Sequence, residues 1–334
     1  MNKKNDYEMI SRQVLPFISK RLSQILLNSD LSTRLPQIEE IRLRSQKPLV
    51  LNCGLHNMYI NQKTLSLQEN LNDCAISTCE DIKETFELIT MNSVYAFQQD
   101  IKNGFITLPG GHRVGICGKA IYDDNQIKNI RDVSAMNFRI SRQVKGCSNK
   151  LINWILYKKS SLLNVLIISP PQCGKTTILT DLALNLSNGI ESMFSGFKVG
   201  IVDERSEIAA CLNGVPQKDV GINTDVLDGC PKSLGMNLLI RSMSPDVIIT
   251  DEIGSNGDKN AILSVVNAGV KIISTAHGYN LSELKSRKEV LDILQAGIFD
   301  RYIVLSRKEG PGTLEEVIDS SGKSLYRREK MNVS

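Results

Sequence analysis

Residues 169–177 have the sequence SPPQCGKTT, in which a glycine, a lysine and two threonines follow one another. A loop of this composition directs backbone N–H groups and a helix N-terminus at a phosphate group. Lys175 would reach the β- and γ-phosphates of a nucleotide, and the hydroxyl of Thr176 would be a ligand of Mg²⁺. The sequence therefore predicts a site for ATP and Mg²⁺. The residues predicted to bind the nucleotide are Ser169, Pro170, Pro171, Gln172, Cys173, Gly174, Lys175, Thr176 and Thr177.

This loop stands between a predicted strand and a predicted helix. The apolar run 163–168 (LNVLII) precedes it, and apolar residues at helical spacing follow it over residues 178–186. The order strand, loop, helix distinguishes a nucleotide loop from a chance Gly-Lys-Thr triplet or a plain helix-capping turn. Ser169 departs from the pattern, which has glycine at that position, and a small residue is expected to be tolerated there.

Two adjacent carboxylates, Asp251 and Glu252, follow the apolar run 246–250. Asp251 is predicted to hold the Mg²⁺ through its hydration shell, and Glu252 to polarise the water that attacks the γ-phosphate. The alternative is a pair of solvated surface acids at a strand end. Because a glutamate follows the aspartate, the sequence favours hydrolysis of ATP to ADP and phosphate over phosphoryl transfer to a small molecule.

A second acidic pair, Asp203 and Glu204, follows the apolar run 198–202. These carboxylates are predicted to tune the Mg²⁺ or the attacking water, and Glu204 is counted with the candidate catalytic residues. An ion pair to Arg205 or Arg241 is the competing interpretation.

One of the three histidines, His277, follows the apolar run 270–275. At the carboxyl end of a strand it would contact the γ-phosphate or its water and report the nucleotide state to the next element. The alternative is a histidine in a surface turn.

These residues all follow apolar runs that alternate with helical patterns. Such alternation predicts an α/β fold with a parallel sheet, helices on both faces and a ligand at the carboxyl ends of the strands. The sequence thus predicts a P-loop NTPase core with its functional residues along one edge of the sheet. The runs are 163–168, 198–202, 246–250, 270–275 and 301–305.

The first part of the chain has a different pattern. Helical spacing over residues 7–27 precedes short strand patterns, Ser77 with Glu80 fits a capping box before a second helix, and residues 104–122 return to β. We predict a smaller α+β domain over residues 1–148, with a positioning or docking role, and the ATPase domain over residues 149–334.

Composition excludes some classes of protein. The 334 residues are 41% hydrophobic and 23% charged, and the longest apolar runs are far shorter than the roughly 20 residues of a membrane span. No secretory signal precedes the first helix, so we expect a cytoplasmic protein.

The eight cysteines form no CxxC pair and are expected to be reduced, mostly buried thiols. A net charge of +4, with no dense basic run apart from residues 327–330, is too weak to argue for nucleic-acid binding.

The four strand ends, in this order, resemble the Walker A, acidic box, Walker B and histidine box of type II and type IV secretion ATPases. A closer resemblance is to the stage III sporulation protein AA family, and it covers nearly the whole chain. It is carried by residues 39–44 (EEIRLR), 110–115 (GGHRVG), 202–208 (VDERSEI), 240–247 (IRSMSPDV) and 251–254 (DEIG).

This resemblance implies a RecA-like, AAA+-related core that assembles into a homo-hexameric ring. It also implies a peripheral position on the cytoplasmic, mother-cell side of a membrane, docked on integral membrane subunits of a sporulation or secretion channel. By the same resemblance, Arg139 and Arg142 of the first domain would reach the γ-phosphate held by a neighbouring subunit.

Two other functions remain compatible with the sequence. A nucleic-acid motor uses the same ATPase core, and its turnover would rise on addition of polynucleotide in a salt-sensitive way. An ATP-binding scaffold, whose nucleotide only stabilises a ring, would bind ATP without hydrolysing it.

Overall fold

The computed structural model divides into two compact units, Met1–Arg142 and Gln143–Ser334. Each unit buries its own apolar core. A separation of function between a positioning domain and an ATPase domain near residue 148 stays a prediction. The structure describes residues 3–31, 38–54, 56–102, 104–123, 126–157, 161–191, 193–254 and 257–329.

The first unit is an antiparallel sheet with helices packed against it. The strand order is β5-β4-β3-β1-β9-β8-β7, and β2 pairs with β6 apart from this sheet. Its described helices are α1 (Lys3–Gln13), α2 (Lys20–Asn28), α3 (Cys79–Ile89) and α4 (Gln98–Lys102). Its described strands are β1 (Glu40–Arg44), β2 (Lys47–Pro48), β3 (Val50–Cys53), β4 (His56–Ile60), β5 (Leu67–Gln68), β6 (Ile76–Ser77), β7 (Phe105–Thr107), β8 (Arg113–Asp123) and β9 (Gln126–Arg139).

Helix α3 begins one residue later than the predicted capping box. The Thr78 hydroxyl accepts the N–H of Asp81 at 3.1 Å, and the Asp81 carboxylate accepts the N–H of Thr78 at 2.7 Å. Ser77 instead pairs with Lys47 in the β2–β6 ladder. The predicted box of Ser77 and Glu80 is therefore wrong by one residue, because strand pairing holds Ser77 outside the helix.

The second unit is an eight-stranded sheet of order β12-β11-β13-β14-β10-β15-β16-β17. All pairs from β12 to β15 are parallel, and the last two pairs are antiparallel. Its described helices are α5 (Asn149–Ile155), α6 (Lys175–Asn188), α7 (Lys232–Met243), α8 (Asp258–Asn267), α9 (Leu281–Lys285) and α10 (Lys288–Gln295). Its described strands are β10 (Val165–Ser169), β11 (Val199–Asp203), β12 (Thr224–Asp228), β13 (Val247–Thr250), β14 (Lys271–His277), β15 (Arg301–Ser306), β16 (Thr313–Asp319) and β17 (Ser324–Arg327).

Helices cover both faces of this sheet. Side chains alternate between the faces of a strand, so Val165 and Ile167 of β10 pack in one core with Leu179 of α6. Leu166 and Ile168 pack in the other core, which contains α7 and α8. Strands buried on both sides need apolar residues at every position, which explains the continuous runs in the sequence. The predicted α/β class with a parallel sheet is confirmed.

A buried carboxylate fixes the segment that leads into the second unit. Asp181, in the second turn of α6, is fully buried and accepts hydrogen bonds from the N–H groups of Gly146 (2.8 Å) and Ser148 (2.7 Å). The Ser148 hydroxyl donates a further bond to it at 2.7 Å. Residues 143–148 are thus attached to the helix that follows the nucleotide loop.

All eight cysteines are free thiols. Cys74, Cys173 and Cys211 are buried, whereas Cys79 and Cys117 are exposed, so the expectation that most of them are buried is wrong. None of the helices within the described ranges is long and apolar enough to span a membrane.

Candidate nucleotide-binding site

The loop after β10 leads directly into α6 through a left-handed glycine. Gly174 has a φ of 78° at the N-cap of α6, a left-handed value that favours glycine. Its carbonyl accepts the N–H of Ile178 at 2.9 Å, so the helix starts directly after it. Ser169 is fully buried in the last pair of the β10–β14 ladder and does not need a positive φ. A serine therefore fits where the usual pattern has glycine.

The ammonium group of Lys175 is held by three acceptors. Its Nζ donates to the main-chain oxygens of Ser169 and Pro170, both at 3.1 Å, and to Nδ1 of His277 at 2.8 Å. Burial lowers the pKa of Lys175, and the nearby Glu252 carboxylate works against this shift. The lysine is thus directed back over its own loop, where a phosphate group would sit.

His277 connects the loop lysine with the carboxylate after β13. Its Nε2 lies 3.3 Å from Oε1 of Glu252, whose Oε2 lies 3.6 Å from the Arg205 guanidinium. Because an ammonium group only donates, Nδ1 of His277 is the acceptor, and in a neutral ring Nε2 then carries the hydrogen. The predicted residues Lys175, His277 and Glu252 therefore form one continuous chain of contacts.

The backbone at Glu252 has an uncommon conformation. Its φ is 22°, and its N–H donates to the Thr275 hydroxyl at 2.9 Å. The next N–H, of Ile253, donates to the Thr275 carbonyl at 2.8 Å. These two bonds to the neighbouring strand hold a conformation that non-glycine residues rarely adopt, and such positions concentrate at functional sites.

Asp251 is 6% exposed, and its Oδ1 has no hydrogen-bond partner among the described residues. Burial raises the pKa of this carboxyl to about 6, Lys232 opposes the rise, and Asp203 adds to it. The Lys232 ammonium lies 3.9 Å from that oxygen and 2.6 Å from Oε2 of Glu204. Glu204 therefore has a lysine partner that no sequence pattern indicated, because the two residues are 28 positions apart in the sequence.

Asp203, which precedes Glu204, has a structural role. Asp203 is fully buried and accepts the N–H groups of Glu207 and Ala209, both at 2.8 Å. Its side chain shapes the loop that carries Glu204 and Arg205. The contacts of Asp203 with these two N–H groups are not apparent from the sequence.

Some of these residues, Glu204, Lys232, Glu252 and His277 among them, line an open cleft of about 530 Å³, whereas the loop residues 169–177 and Asp251 are not part of its lining. No cluster of three or more His, Cys, Asp or Glu side chains suited to a metal occurs in the described part of the chain. A magnesium ion bound with a nucleotide needs only one or two protein ligands, since phosphate and water oxygens complete its octahedron. The cleft is lined by Glu204, Arg205, Pro231, Lys232, Ser233, Glu252, Ile253, Gly254, Asp258, His277, Arg287 and Val290.

The two arginines predicted to act between subunits belong to the first unit. Arg139 is exposed at the end of β9, where it pairs with Glu40 of β1 and Arg113 of β8. Arg142 is half-buried, and its charge contributes, after burial, to lowering the pKa of His112 to about 4. Their predicted contact with a γ-phosphate stays a prediction.

Solved structures share this fold. The ATPase DotB of Legionella pneumophila is 14% identical, with a TM-score of 0.54 over 90% of this chain and 80% of that one. The pilus retraction motor PilT with bound ADP is 11% identical, with a TM-score of 0.53 over 95% and 84%. At these identities the likeness establishes the fold, and it confirms the RecA-like core.

Sequence relatives identify the family. Stage III sporulation protein AA of Bacillus subtilis (strain 168) is 41% identical over 291 residues, which cover 87% of this chain and 90% of that protein. The uncharacterized protein ycf45 of Porphyra purpurea is 27% identical over 65% of this chain and 37% of its own length. The model of the family described as sporulation stage III, protein AA, matches residues 8–325. The chain therefore belongs to the sporulation stage III protein AA family.

Proposed function

We propose that this chain binds Mg-ATP at the carboxyl ends of the parallel strands in the second unit, hydrolyses it, and uses the energy for mechanical work on a membrane complex. One observation carries the proposal: Lys175, His277 and Glu252 are in contact, in that order, at the ends of the adjacent strands β10, β14 and β13. A phosphate-binding lysine and a carboxylate able to act on water are thus placed at one point of the sheet edge.

The loop residues 169–177 would bind the phosphates. The N-terminus of α6 provides backbone N–H groups and the positive end of the helix dipole. Lys175 would exchange its bonds to Ser169 O and Pro170 O for charge-assisted bonds to phosphate oxygens, which are stronger acceptors than carbonyls.

Thr176 and Asp251 would hold the magnesium ion. The fit rests on the Asp251 carboxylate, which is buried and has one oxygen without a hydrogen-bond partner among the described residues. Carboxylate and hydroxyl oxygens are the ligands that Mg²⁺ prefers. When bound, the ion would neutralise phosphate charge that otherwise repels an attacking water.

Glu252 would orient and polarise the water, since its carboxylate has one partner on each oxygen, His277 and Arg205, and faces the cleft. His277 would connect the state of the γ-phosphate, sensed through Lys175, with the position of Glu252. Glu204 would tune the charge beside Asp251 through its ion pair with Lys232.

The family membership supports a role in sporulation, and the fold supports a ring. We propose a homo-hexamer on the cytoplasmic face of the mother-cell membrane, with Arg139 and Arg142 supplied to the site of a neighbouring subunit. The first unit would position subunits and dock on integral membrane subunits of the sporulation channel. Nucleic acid is not a proposed partner.

The test compares the parent with Lys175→Ala and Glu252→Gln. Nucleotide binding is measured with a fluorescent ATP analogue and Mg²⁺, and hydrolysis by phosphate release. Lys175→Ala should lose binding, and Glu252→Gln should bind as the parent does but release little phosphate. Lys63→Ala, which removes an exposed lysine paired with Asp73 in the first unit, is the matched control.

Each alternative has its own result in this experiment. Binding by the parent without phosphate release would leave a nucleotide-stabilised scaffold. Salt-sensitive stimulation by polynucleotide would identify a nucleic-acid motor. Equal phosphate release by Glu252→Gln and the parent would refute the assignment of Glu252.

A further inference from the structure

Lys232 lies in an unfavourable place for a lysine. It is 9% exposed, and it is the first residue of α7. Burial removes the hydration of the ammonium group, and the N-terminus of a helix repels a positive charge. The first turn of α7 contains no acidic residue that would compensate. The compensation must come from groups outside the helix.

Two carboxylates from other elements provide it. Oε2 of Glu204 lies 2.6 Å from Nζ of Lys232, and Oδ1 of Asp251 lies 3.9 Å away. The shorter contact is a hydrogen-bonded ion pair, whereas the longer one is charge attraction without a hydrogen bond. The oxygen that Lys232 approaches without bonding is the buried Asp251 oxygen that has no hydrogen-bond partner within the described ranges.

We propose that Lys232 is a positioning residue that supplies the positive charge beside Asp251 while the site contains no divalent cation, and that it opposes Mg²⁺ binding there. This inference rests on the proposed function of the site and adds a control on it. Because the ammonium is already bonded to Glu204, it stays near Asp251 without occupying its free oxygen. Lys232 thereby sets the Mg²⁺ concentration at which the nucleotide binds tightly.

Removing the charge has two consequences. Without Mg²⁺, Lys232→Gln removes the ammonium group that lies between Glu204 and Asp251, so the protein becomes less stable. With Mg²⁺, the ion meets less repulsion at Asp251. Added Mg²⁺ should therefore stabilise Lys232→Gln more than it stabilises the parent. If Lys232 contributed only packing, its replacement would lower the stability by the same amount with and without Mg²⁺.

The experiment uses the full chain at about pH 8.5, where carboxyl groups are ionised. Thermal unfolding without nucleotide is followed in EDTA and in excess Mg²⁺ for the parent, Lys232→Gln and Lys232→Arg. Mg²⁺ should raise the melting temperature of Lys232→Gln by on the order of 5 °C more than that of the parent. Lys232→Arg retains the charge and should behave as the parent. Lys145→Gln removes an exposed lysine with an equally short carboxylate contact, 2.6 Å to Asp219, and should show no added response.

A second measurement titrates Mg²⁺ at fixed fluorescent ATP analogue. The Mg²⁺ concentration at half-maximal binding should fall about tenfold in Lys232→Gln, since a monovalent and a divalent cation within about 5 Å repel strongly even at a high effective dielectric constant. If Lys232→Gln does not fold, the same titration is made with Glu204→Gln. In that variant the ammonium of Lys232 is no longer bonded to Glu204 and turns toward Asp251, so the Mg²⁺ concentration at half-maximal binding should rise about tenfold. A parent-like value in either variant overturns the inference.

The two proposals fail in distinguishable ways. If the parent binds no nucleotide with Mg²⁺, the proposed function fails, and the nucleotide-free melting experiment still decides the role of Lys232. If the parent binds Mg-ATP and equal Mg²⁺ stabilisation is found for Lys232→Gln and the parent, the inference about Lys232 fails alone.

Discussion

Replacement of His277 by alanine should lower the rate of hydrolysis more than the affinity for nucleotide. His277 would compete with a phosphate group for the ammonium of Lys175, because its Nδ1 accepts one of the three bonds of that group. Removing this competitor leaves Lys175 free for phosphate. The dissociation constant for Mg-ATP should therefore stay unchanged or decrease slightly.

The loss of rate follows from the other ring nitrogen. Nε2 lies 3.3 Å from Oε1 of Glu252, and both side chains are about one-third exposed. A contact between polar groups that are this exposed contributes about 0.2–1 kcal/mol. If that energy is realised in the transition state, kcat falls by up to about fivefold.

Steady-state phosphate release gives kcat, and equilibrium fluorescence with a nucleotide analogue gives the dissociation constant. His56→Ala changes an exposed histidine of β4 in the first unit and is the control for the loss of an imidazole. An affinity that decreases as much as kcat would show that His277 contacts the ground state, and the reasoning from the Lys175 contact would be refuted.

Two further predictions concern the first unit. If neighbouring subunits share sites, the specific ATPase activity should rise with protein concentration. Mixing an Arg139→Ala, Arg142→Ala double variant with Lys175→Ala should then restore turnover. A rate that does not depend on concentration, with no rescue on mixing, would contradict shared sites. Burial raises the pKa of Asp81, but the Arg21 guanidinium and local hydrogen bonds outweigh it and lower the pKa to about 2. Asp81→Asn should therefore lower the free energy of unfolding by about 1–2 kcal/mol at neutral pH, measured by denaturant unfolding. The difference between variant and parent should shrink as the pH falls from about 4 toward 2. A difference that does not depend on pH would argue against an ionic contribution of Asp81.

In the second unit, the strands that the sequence predicted are buried on both faces. β10, β11 and β13 are buried at every position and β14 at all but its two ends, and the ends of these strands locate Lys175 and the acidic residues. The pattern failed for β12 (TDVLD), which is half-buried throughout at the sheet edge, and for β17 (SLYR), which is exposed. Strands with one or no buried face lack the apolar run on which the prediction depends.

The residues of the candidate site were predictable where they directly follow a strand that is itself recognisable in the sequence. Gly174, Lys175 and the carboxylates after β13 are of this kind. Lys232 was not, since its function depends on a contact with Asp251 from another element. The backbone of Glu252 was not predictable either, because its φ of 22° is held by Thr275 of the neighbouring strand.

The buried Asp181 has a practical consequence for work on the isolated second unit. A fragment that starts at residue 149 would lack the N–H groups of Gly146 and Ser148 and the Ser148 hydroxyl, and would keep only the 3.4 Å contact from Asn185. An ionised carboxylate that loses its buried donors is strongly destabilising, and here it would lie in the helix that begins at the nucleotide loop. Expression fragments should therefore begin at residue 143, so that a loss of nucleotide binding is not produced by the choice of cloning boundary.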